Sequence, residues 1–177
     1  MEPHLRSGDG DSEVFRDLDV SPVVDILEHN HRTQRFREGG KSVTERSPYR
    51  GAFAAAIENG VDIVVADEDE VNALFQTDTF DATLDALEGR DNLFAMTRSA
   101  RGSVIVHGDQ RVIYPATAVD KVVDTTGAGD AWCAGFLYGW ANDKPLAECA
   151  RLGTFCGGRV IQQIGARIEP GLLDDYS

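Results

Sequence analysis

The chain has 177 residues, of which 42% are hydrophobic, so it can bury the core of one ordinary domain. Thirty acidic residues against 17 basic ones give a net charge of −13, which opposes binding to nucleic acid or to an anionic membrane. No stretch approaches the ~20 apolar residues of a membrane span, and the first residues lack the pattern of a secretory signal. We therefore expect a cytoplasmic protein, whose acidity suits either an ordinary cytosolic chain or a halophilic proteome.

The first fifty residues show no sustained hydrophobic period, and we expect residues 1–45 to be irregular or poorly ordered. His29 and His31 have no cysteine near them, so a solvated loop is favoured over a metal site. The three cysteines, Cys133, Cys149 and Cys156, lack CxxC spacing and an even number. They are predicted to be buried free thiols.

From Pro48 onward, helical and strand patterns alternate. The predicted elements are a helix from Pro48 to Gly60, a strand at 61–66, helices at 67–75 and 79–89, a strand at 92–97, a hairpin at 102–116, and two helices ending near Asn142 and Gln163. The run VDIVVA at 61–66 is typical of a strand buried on both faces. This order predicts an α/β fold with a mostly parallel sheet, helices on both faces and an antiparallel hairpin at one edge.

The segment DTTGAGD, residues 124–130, precedes the strongly apolar stretch AWCAGFLYGWA. Its glycines let backbone N–H groups approach a ligand, and the start of the following helix favours anions. Asp130 in the first turn is placed to take a proton from a hydroxyl while those amides stabilise a transferring phosphoryl group. The structural alternative is that GAG packs the helix against a sheet and Asp130 caps it. The apolar stretch predicts a helix buried nearly all round.

Other nucleotide-binding patterns are missing. Neither the G-x-G-x-x-G of a dinucleotide-binding fold nor the G-x-x-x-x-G-K-[ST] of a P-loop occurs. The whole string DTTGAGD instead resembles the signature of the ribokinase-like (PfkB) family of sugar and nucleoside kinases. VDIVVADEDEVNALF is similar to that family's strand and Asn-x-x-Glu magnesium motif, and TRSARGSVIV to its Thr-x-x-x-x-Gly nucleotide turn. DKPLAECARLGTFCGGRVIQQIGA resembles its last long helix. Details such as RSARGS and IGAR favour the adenosine-kinase-like branch.

The resemblance implies a ribokinase-like, Rossmann-like three-layer sandwich and a role for each matching residue. Asp130 would be the catalytic base, and Gly127, Ala128 and Gly129 would supply the anion-hole amides. The ATP site, bordered by Gly129 and Asp130, would be lined by the following residues: Thr97, Arg98, Ser99, Ala100, Arg101, Gly102, Thr154 and Gly157. Glu70 and Asp67 would organise Mg²⁺, and Asp124 and Thr126, with carbonyls near Val160 and Gly165, would match a monovalent-cation (K⁺) site.

Two alternatives remain at these positions. The face that carries Thr154 and Gly157 is equally well explained by close helix packing. The run DEDE at residues 67–70 departs from Asn-x-x-Glu and is also typical of a solvated helix start.

The resemblance covers residues 46–177, which we expect to be the ATP-binding and catalytic part of an N-terminally truncated ribokinase-like domain. Residues 1–45 contain no glycine-rich acceptor motif. The predicted function is ATP-dependent phosphoryl transfer to an alcohol group of a sugar or nucleoside. The alternative is a non-catalytic nucleotide-binding module without the substrate-binding half. An open sheet edge would be covered by a second copy or a partner chain.

Overall fold

The computed structural model describes residues 50–167, 171–172 and 176. The helices and strands are α1 (Arg50–Asn59), β1 (Ile63–Asp67), α2 (Glu68–Phe75), α3 (Phe80–Leu87), β2 (Leu93–Thr97), β3 (Ser103–His107), β4 (Gln110–Tyr114), α4 (Ala128–Ala141) and α5 (Leu146–Val160), with a 3₁₀ turn at Ser99–Arg101. The predicted order of elements is confirmed over this part of the chain. The expectations for residues 1–45, for His29 and His31, and for the helix start at Pro48 lie outside it.

The four strands form one mixed sheet in the order β1-β2-β3-β4. β1 and β2 run parallel, and β3 and β4 form the predicted antiparallel hairpin beside β2. β2 and β4 therefore run in the same direction as β1. One register row joins the last residues of these three strands to the first residue of β3: Asp67, Thr97, Ser103 and Tyr114. The chain thus leaves β1, β2 and β4 at the same edge of the sheet.

Alternating side chains of the strands divide the core between the two faces of the sheet. Phe94 and Met96 pack on one face against residues of α1, α2 and α3. Leu93, Ala95 and Ile105 pack on the other face against α4 and α5. Helices on both faces of a central sheet make the predicted three-layer sandwich.

Three details differ from the expectations. β1 is half-buried, because it is the edge strand of the described sheet and has only one neighbour. α4 buries only one side, since Leu137 and Tyr138 on its other side are exposed. α5 ends at Val160 and continues as turns rather than as helix to Gln163.

The prediction of buried free thiols is confirmed for Cys149 and Cys156. Cys133 is also a free thiol, but it is only partly buried. Among the described helices, none is long and apolar enough to span a membrane.

Candidate active site

The start of α2 is fixed by a capping box. Asp67 Oδ1 accepts a hydrogen bond from the Glu70 amide at 2.8 Å, and Glu70 Oε2 accepts one from the Asp67 amide at 2.9 Å. This reciprocal pair satisfies two backbone N–H donors that have no acceptor within the helix. Acidic side chains at this position also interact favourably with the positive end of the helix dipole. The structural role predicted for DEDE is therefore present.

The turn that follows β2 is closed by backbone hydrogen bonds and by a glycine in a restricted conformation. The Arg98 amide donates to the Gly102 carbonyl at 2.8 Å, and the Gly102 amide donates to the Ser99 carbonyl at 3.1 Å. Gly102 has φ +88°, and a Cβ at this position would overlap the carbonyl oxygen of Tyr114. The turn is therefore pressed against the segment that leaves β4, and only glycine fits at its end.

Glu68, the first residue of α2, links that helix to the turn at residues 98–102. Its Oε2 atom accepts a hydrogen bond from Arg98 Nε at 2.8 Å and forms an ion pair with Arg101 Nη2 at 2.6 Å. The Arg98 guanidinium also lies 4.2 Å from the ring centre of Phe80. Neither Glu68 nor Phe80 was among the predicted site residues. The sequence signal that could have found Glu68 was an acidic run directly after β1 together with two arginines directly after β2, since these two strands are neighbours.

The loop before α4 is organised by Asp124. Its Oδ1 accepts from the Thr126 amide at 2.9 Å and from Thr126 Oγ1 at 2.7 Å, and its Oδ2 accepts from the Gly165 amide at 3.0 Å. Hydrogen bonds from the backbone amides of Thr126 and Gly165, and then from the Thr126 hydroxyl, lower the pKa of the Asp124 carboxyl below its usual value. Asp124 therefore remains ionised and joins the DTTGAGD loop to the turn after α5.

Gly127 is the N-cap of α4 and adopts a left-handed conformation, with φ +77°. A Cβ there would overlap the side chain of Ala166. The Ala128 amide donates to the Thr125 carbonyl at 3.2 Å, whereas Gly129 has open space around its Cβ position. Asp130 lies in the first turn and is exposed. Burial, and then the charge of Asp130, raise the pKa of the Cys133 thiol, so this cysteine stays protonated near neutral pH.

The direction of α4 places its start toward the sheet edge where β2 and β4 end. Trp140, near the end of α4, packs edge-to-face on His107 at 5.8 Å. His107 pairs with Leu93, the first residue of β2, so this contact lies at the opposite edge. The thirteen residues from Ala128 to Trp140 span about 18 Å of helix, against about 13 Å for β2 from its first residue to its last. The start of α4 thus lies toward the turn at residues 98–102.

Helices α4 and α5 touch through small residues. A Cβ on Gly153 would lie 2.8 Å from the Trp132 ring, and one on Gly157 would lie 3.3 Å from the Ala128 carbonyl oxygen. Trp132 Nε1 donates to the buried hydroxyl of Thr154 at 3.4 Å. Thr154 and Gly157 therefore take part in helix packing, which was the structural alternative at these positions.

The predicted site residues form two groups. Asp67, Glu70 and residues 97–102 are joined by strand pairing and by the Glu68 ion pairs. Residues 124–130, Thr154 and Gly157 are joined through the α4–α5 contact and the turn at Gly165. The two groups share one edge of the sheet, and the segment beginning at Tyr114 leads from the first to the second.

A family model described as "pfkB family carbohydrate kinase" matches residues 29–171. An uncharacterized sugar kinase of Archaeoglobus fulgidus is 39% identical over 105 residues, which are 59% of this chain and 42% of the relative. Among solved structures, an adenosine kinase from Sinorhizobium meliloti is 45% identical with a TM-score of 0.67, over 71% of this chain and 39% of that one. A fructokinase double mutant from Vibrio cholerae O395, with fructose, ADP and potassium ion bound, is 27% identical with a TM-score of 0.59, over 66% and 39%.

The match thus spans about two fifths of these relatives' length. These similarities confirm the predicted ribokinase-like fold and the adenosine-kinase-like relatives. The chain belongs to the pfkB family of carbohydrate kinases.

Proposed function

We propose that the protein transfers the γ-phosphoryl group of ATP to an alcohol group of a sugar or nucleoside. The observation that carries this proposal is the start of α4. Gly127 turns the chain into the helix, and Asp130 stands exposed in the first turn, where helix amides lack acceptors within the helix. A base beside such amides suits attack by a hydroxyl on a phosphoryl group. Membership of a kinase family supports the same reaction.

In this proposal Asp130 accepts the proton of the acceptor hydroxyl through its carboxylate. The backbone amides of Gly127 and Gly129, and that of Ala128 once it releases the Thr125 carbonyl, act together with the positive end of the α4 dipole to offset the negative charge of the phosphoryl oxygens. The turn from Thr97 to Gly102 binds the nucleotide phosphates. Positioning and charge stabilisation then provide most of the rate enhancement.

Magnesium fits the start of α2. No group of three or more histidine, cysteine or acidic side chains able to hold a metal occurs among the described residues, so a closed protein cage is absent there. Mg²⁺ usually keeps several waters and binds one or two carboxylates plus substrate phosphates. The carboxylates of Asp67 and Glu70 at the start of α2 would provide such a site. Bound Mg²⁺ would neutralise phosphate charge.

A monovalent cation fits the junction of the DTTGAGD loop and Gly165. Asp124 stays ionised there, and Thr126 adds a hydroxyl oxygen. Oxygen ligands that together carry one negative charge are suited to binding K⁺. The similar fructokinase structure contains bound ADP and a potassium ion, which supports an adenine nucleotide and K⁺ as ligands of this chain.

The test is an ATP-consumption assay of the purified chain with Mg²⁺ and a panel of ribose, fructose, adenosine and related alcohols. Asp130→Asn is expected to lower turnover by about 10²- to 10⁴-fold with little change in ATP binding. The matched control is Asp143→Asn, which changes another exposed aspartate, in the turn between α4 and α5, and should keep parental turnover. Parental turnover by Asp130→Asn would eliminate the proposed base.

A second candidate function is nucleotide binding without transfer. The observation that favours it is the extent of the match, about two fifths of the relatives' length. Residues 46–177 would then bind ATP, and the acceptor would be bound by other polypeptide, either a second copy or a partner chain at the β1 edge. Calorimetry that detects Mg-ATP binding, with no ATP consumption on any acceptor, would favour this candidate.

A further inference from the structure

The backbone of Glu68 is held in a fixed position at the edge of the sheet that carries the candidate site. Asp67 and Thr97 are paired in register, so Glu68 and Arg98 leave adjacent parallel strands side by side. The capping box between Asp67 and Glu70 holds the first turn of α2, of which Glu68 is the first residue. The Glu68 side chain is only 16% exposed. Its position is therefore set by backbone structure.

Arg98 is held from two directions. Its Nε donates to Glu68, and its guanidinium lies over the ring of Phe80, a residue buried in the core beneath. Its side chain is 23% exposed. Within the described part of the chain, the Arg98 guanidinium makes its contacts through Nε and through its flat face. Both of its Nη groups therefore remain for another acceptor. An arginine fixed in this manner loses little side-chain entropy when it binds an anion.

Arg101 is held more loosely than Arg98. It shares the same carboxylate oxygen of Glu68, but its side chain is 63% exposed. Together the two guanidinium groups more than offset the charge of the Glu68 carboxylate that they share. Asp67, Asp69 and Glu70 add negative charge at the same helix start, so the anion contacts of this turn depend on how the guanidinium groups are placed rather than on a local excess of positive charge.

We propose that Glu68 is a positioning residue for nucleotide binding, which holds Arg98, and less firmly Arg101, ready for the phosphates of a nucleoside triphosphate. This inference rests on the proposed function for the identity of the ligand. Glu68 touches neither the nucleotide nor the acceptor and acts through Arg98. Its own negative charge is offset by the two arginines that it binds.

The test is calorimetric binding of two probes, inorganic tripolyphosphate and ATP, each with Mg²⁺. Glu68→Gln should weaken both by about three- to tenfold, because Arg98 must then be ordered on binding. Glu68→Asp keeps the charge but is one methylene shorter, so it should weaken both probes as well. The matched control is Glu58→Gln, which removes the 2.7 Å Glu58–Arg90 ion pair before the start of β2, at the opposite edge, and should bind as the parent does.

A double-mutant cycle separates positioning from simple charge. In the Arg98→Ala background, Glu68→Gln should change tripolyphosphate affinity by less than about twofold, since the residue through which Glu68 acts is gone. In the kinase assay, Glu68→Gln should raise KM for ATP and leave kcat, KM for the alcohol and the Mg²⁺ dependence unchanged. Thermal melts confirm that each variant is folded.

Parental affinity in Glu68→Gln, tighter binding, or an equal effect in the Arg98→Ala background would overturn the inference. It would also be overturned by a parent chain that binds no tripolyphosphate. A parent chain that binds both probes in a Glu68-dependent manner, yet transfers phosphate to no acceptor, would support the inference and remove the proposed transfer reaction.

Discussion

The two groups of candidate site residues are held in place by different forces. The start of α2 and the turn at residues 98–102 are joined largely by side chains, through the capping box and the ion pairs of Glu68. Helices α4 and α5 are joined by close contacts at Gly135, Gly153 and Gly157. Backbone contacts leave no room for a larger residue, whereas side-chain contacts can adjust. Substitutions in the α4–α5 pair should therefore cost more stability than those near α2.

Gly135→Ala should give the largest loss of stability. A Cβ there would lie 2.6 Å from the Leu152 carbonyl oxygen and 2.8 Å from Cys156 Sγ, so the two helices would have to separate. We expect the free energy of unfolding to fall by about 2–3 kcal/mol, measured by denaturant titration. Gly51→Ala is the matched control, since nothing lies within 4 Å of its Cβ position in α1. That change should stabilise the chain by up to about 1 kcal/mol. Equal values for the two variants would contradict the comparison.

Gly127→Ala tests a close contact in a loop, which can give way more easily than a helix pair. The new Cβ would occupy the place of the Ala166 side chain, and alanine is strained at φ +77°. The expected loss is about 1–2 kcal/mol in thermal unfolding. Adding Ala166→Gly removes the overlap with the Ala166 Cβ but neither the 2.9 Å approach to its Cα nor the backbone strain, so the double variant should recover part of the loss. If it recovers nothing, the overlap is not the cause.

Asp67→Ala tests the side-chain group. Loss of the capping box should cost about 1 kcal/mol. Asp67→Asn keeps an oxygen for the Glu70 amide, so its stability should stay close to that of the parent. If Asp67 also organises Mg²⁺, this variant will need more Mg²⁺ for half-maximal ATP binding, because it lacks the negative charge. Unchanged Mg²⁺ dependence would leave Asp67 with the capping role alone.

The smallest expected effect is the acid sensitivity contributed by Asp124. Its pKa is lower in the folded chain than in the unfolded one, so its stabilising effect is present at neutral pH and is lost as the pH falls below about 4. Asp124→Asn should therefore melt below the parent at pH 7, with a difference that shrinks as the pH falls below about 4. Thermal melts across this range measure it. A constant difference over the whole range would show that the charge of Asp124 is not responsible.

The sequence predicted the elements well where local chemistry decides them. The acidic run at residues 67–70 both starts and caps α2, Gly60 directly follows the end of α1, and Gly89 comes two residues after the end of α3. The apolar run of β2 and the alternating pattern of the hairpin were sufficient to predict these strands, and the order of strands and helices predicted the two helical layers. The string DTTGAGD placed Gly127 and Asp130 at a helix start because glycine geometry and helix capping are local properties.

Other features depended on neighbours that the sequence does not reveal. The position of β1 at the edge of the described sheet explains why a continuous β-branched run is only half-buried. The exposure of Leu137 and Tyr138 shows that an apolar helix need not be covered on every side within the described residues. Thr154 and Gly157 lie in the helix contact because Trp132 packs between the helices.

By itself, then, the sequence determined the family, the order of elements and the phosphoryl-transfer signature, since these depend on residue types at short spacing. Only the tertiary structure could pair Glu68 with Arg98 and Arg101, thirty and more residues away, because strand register decides which chain ends meet at one edge. The same holds for Asp124 and Gly165, which are joined across the whole α4–α5 pair by a single carboxylate.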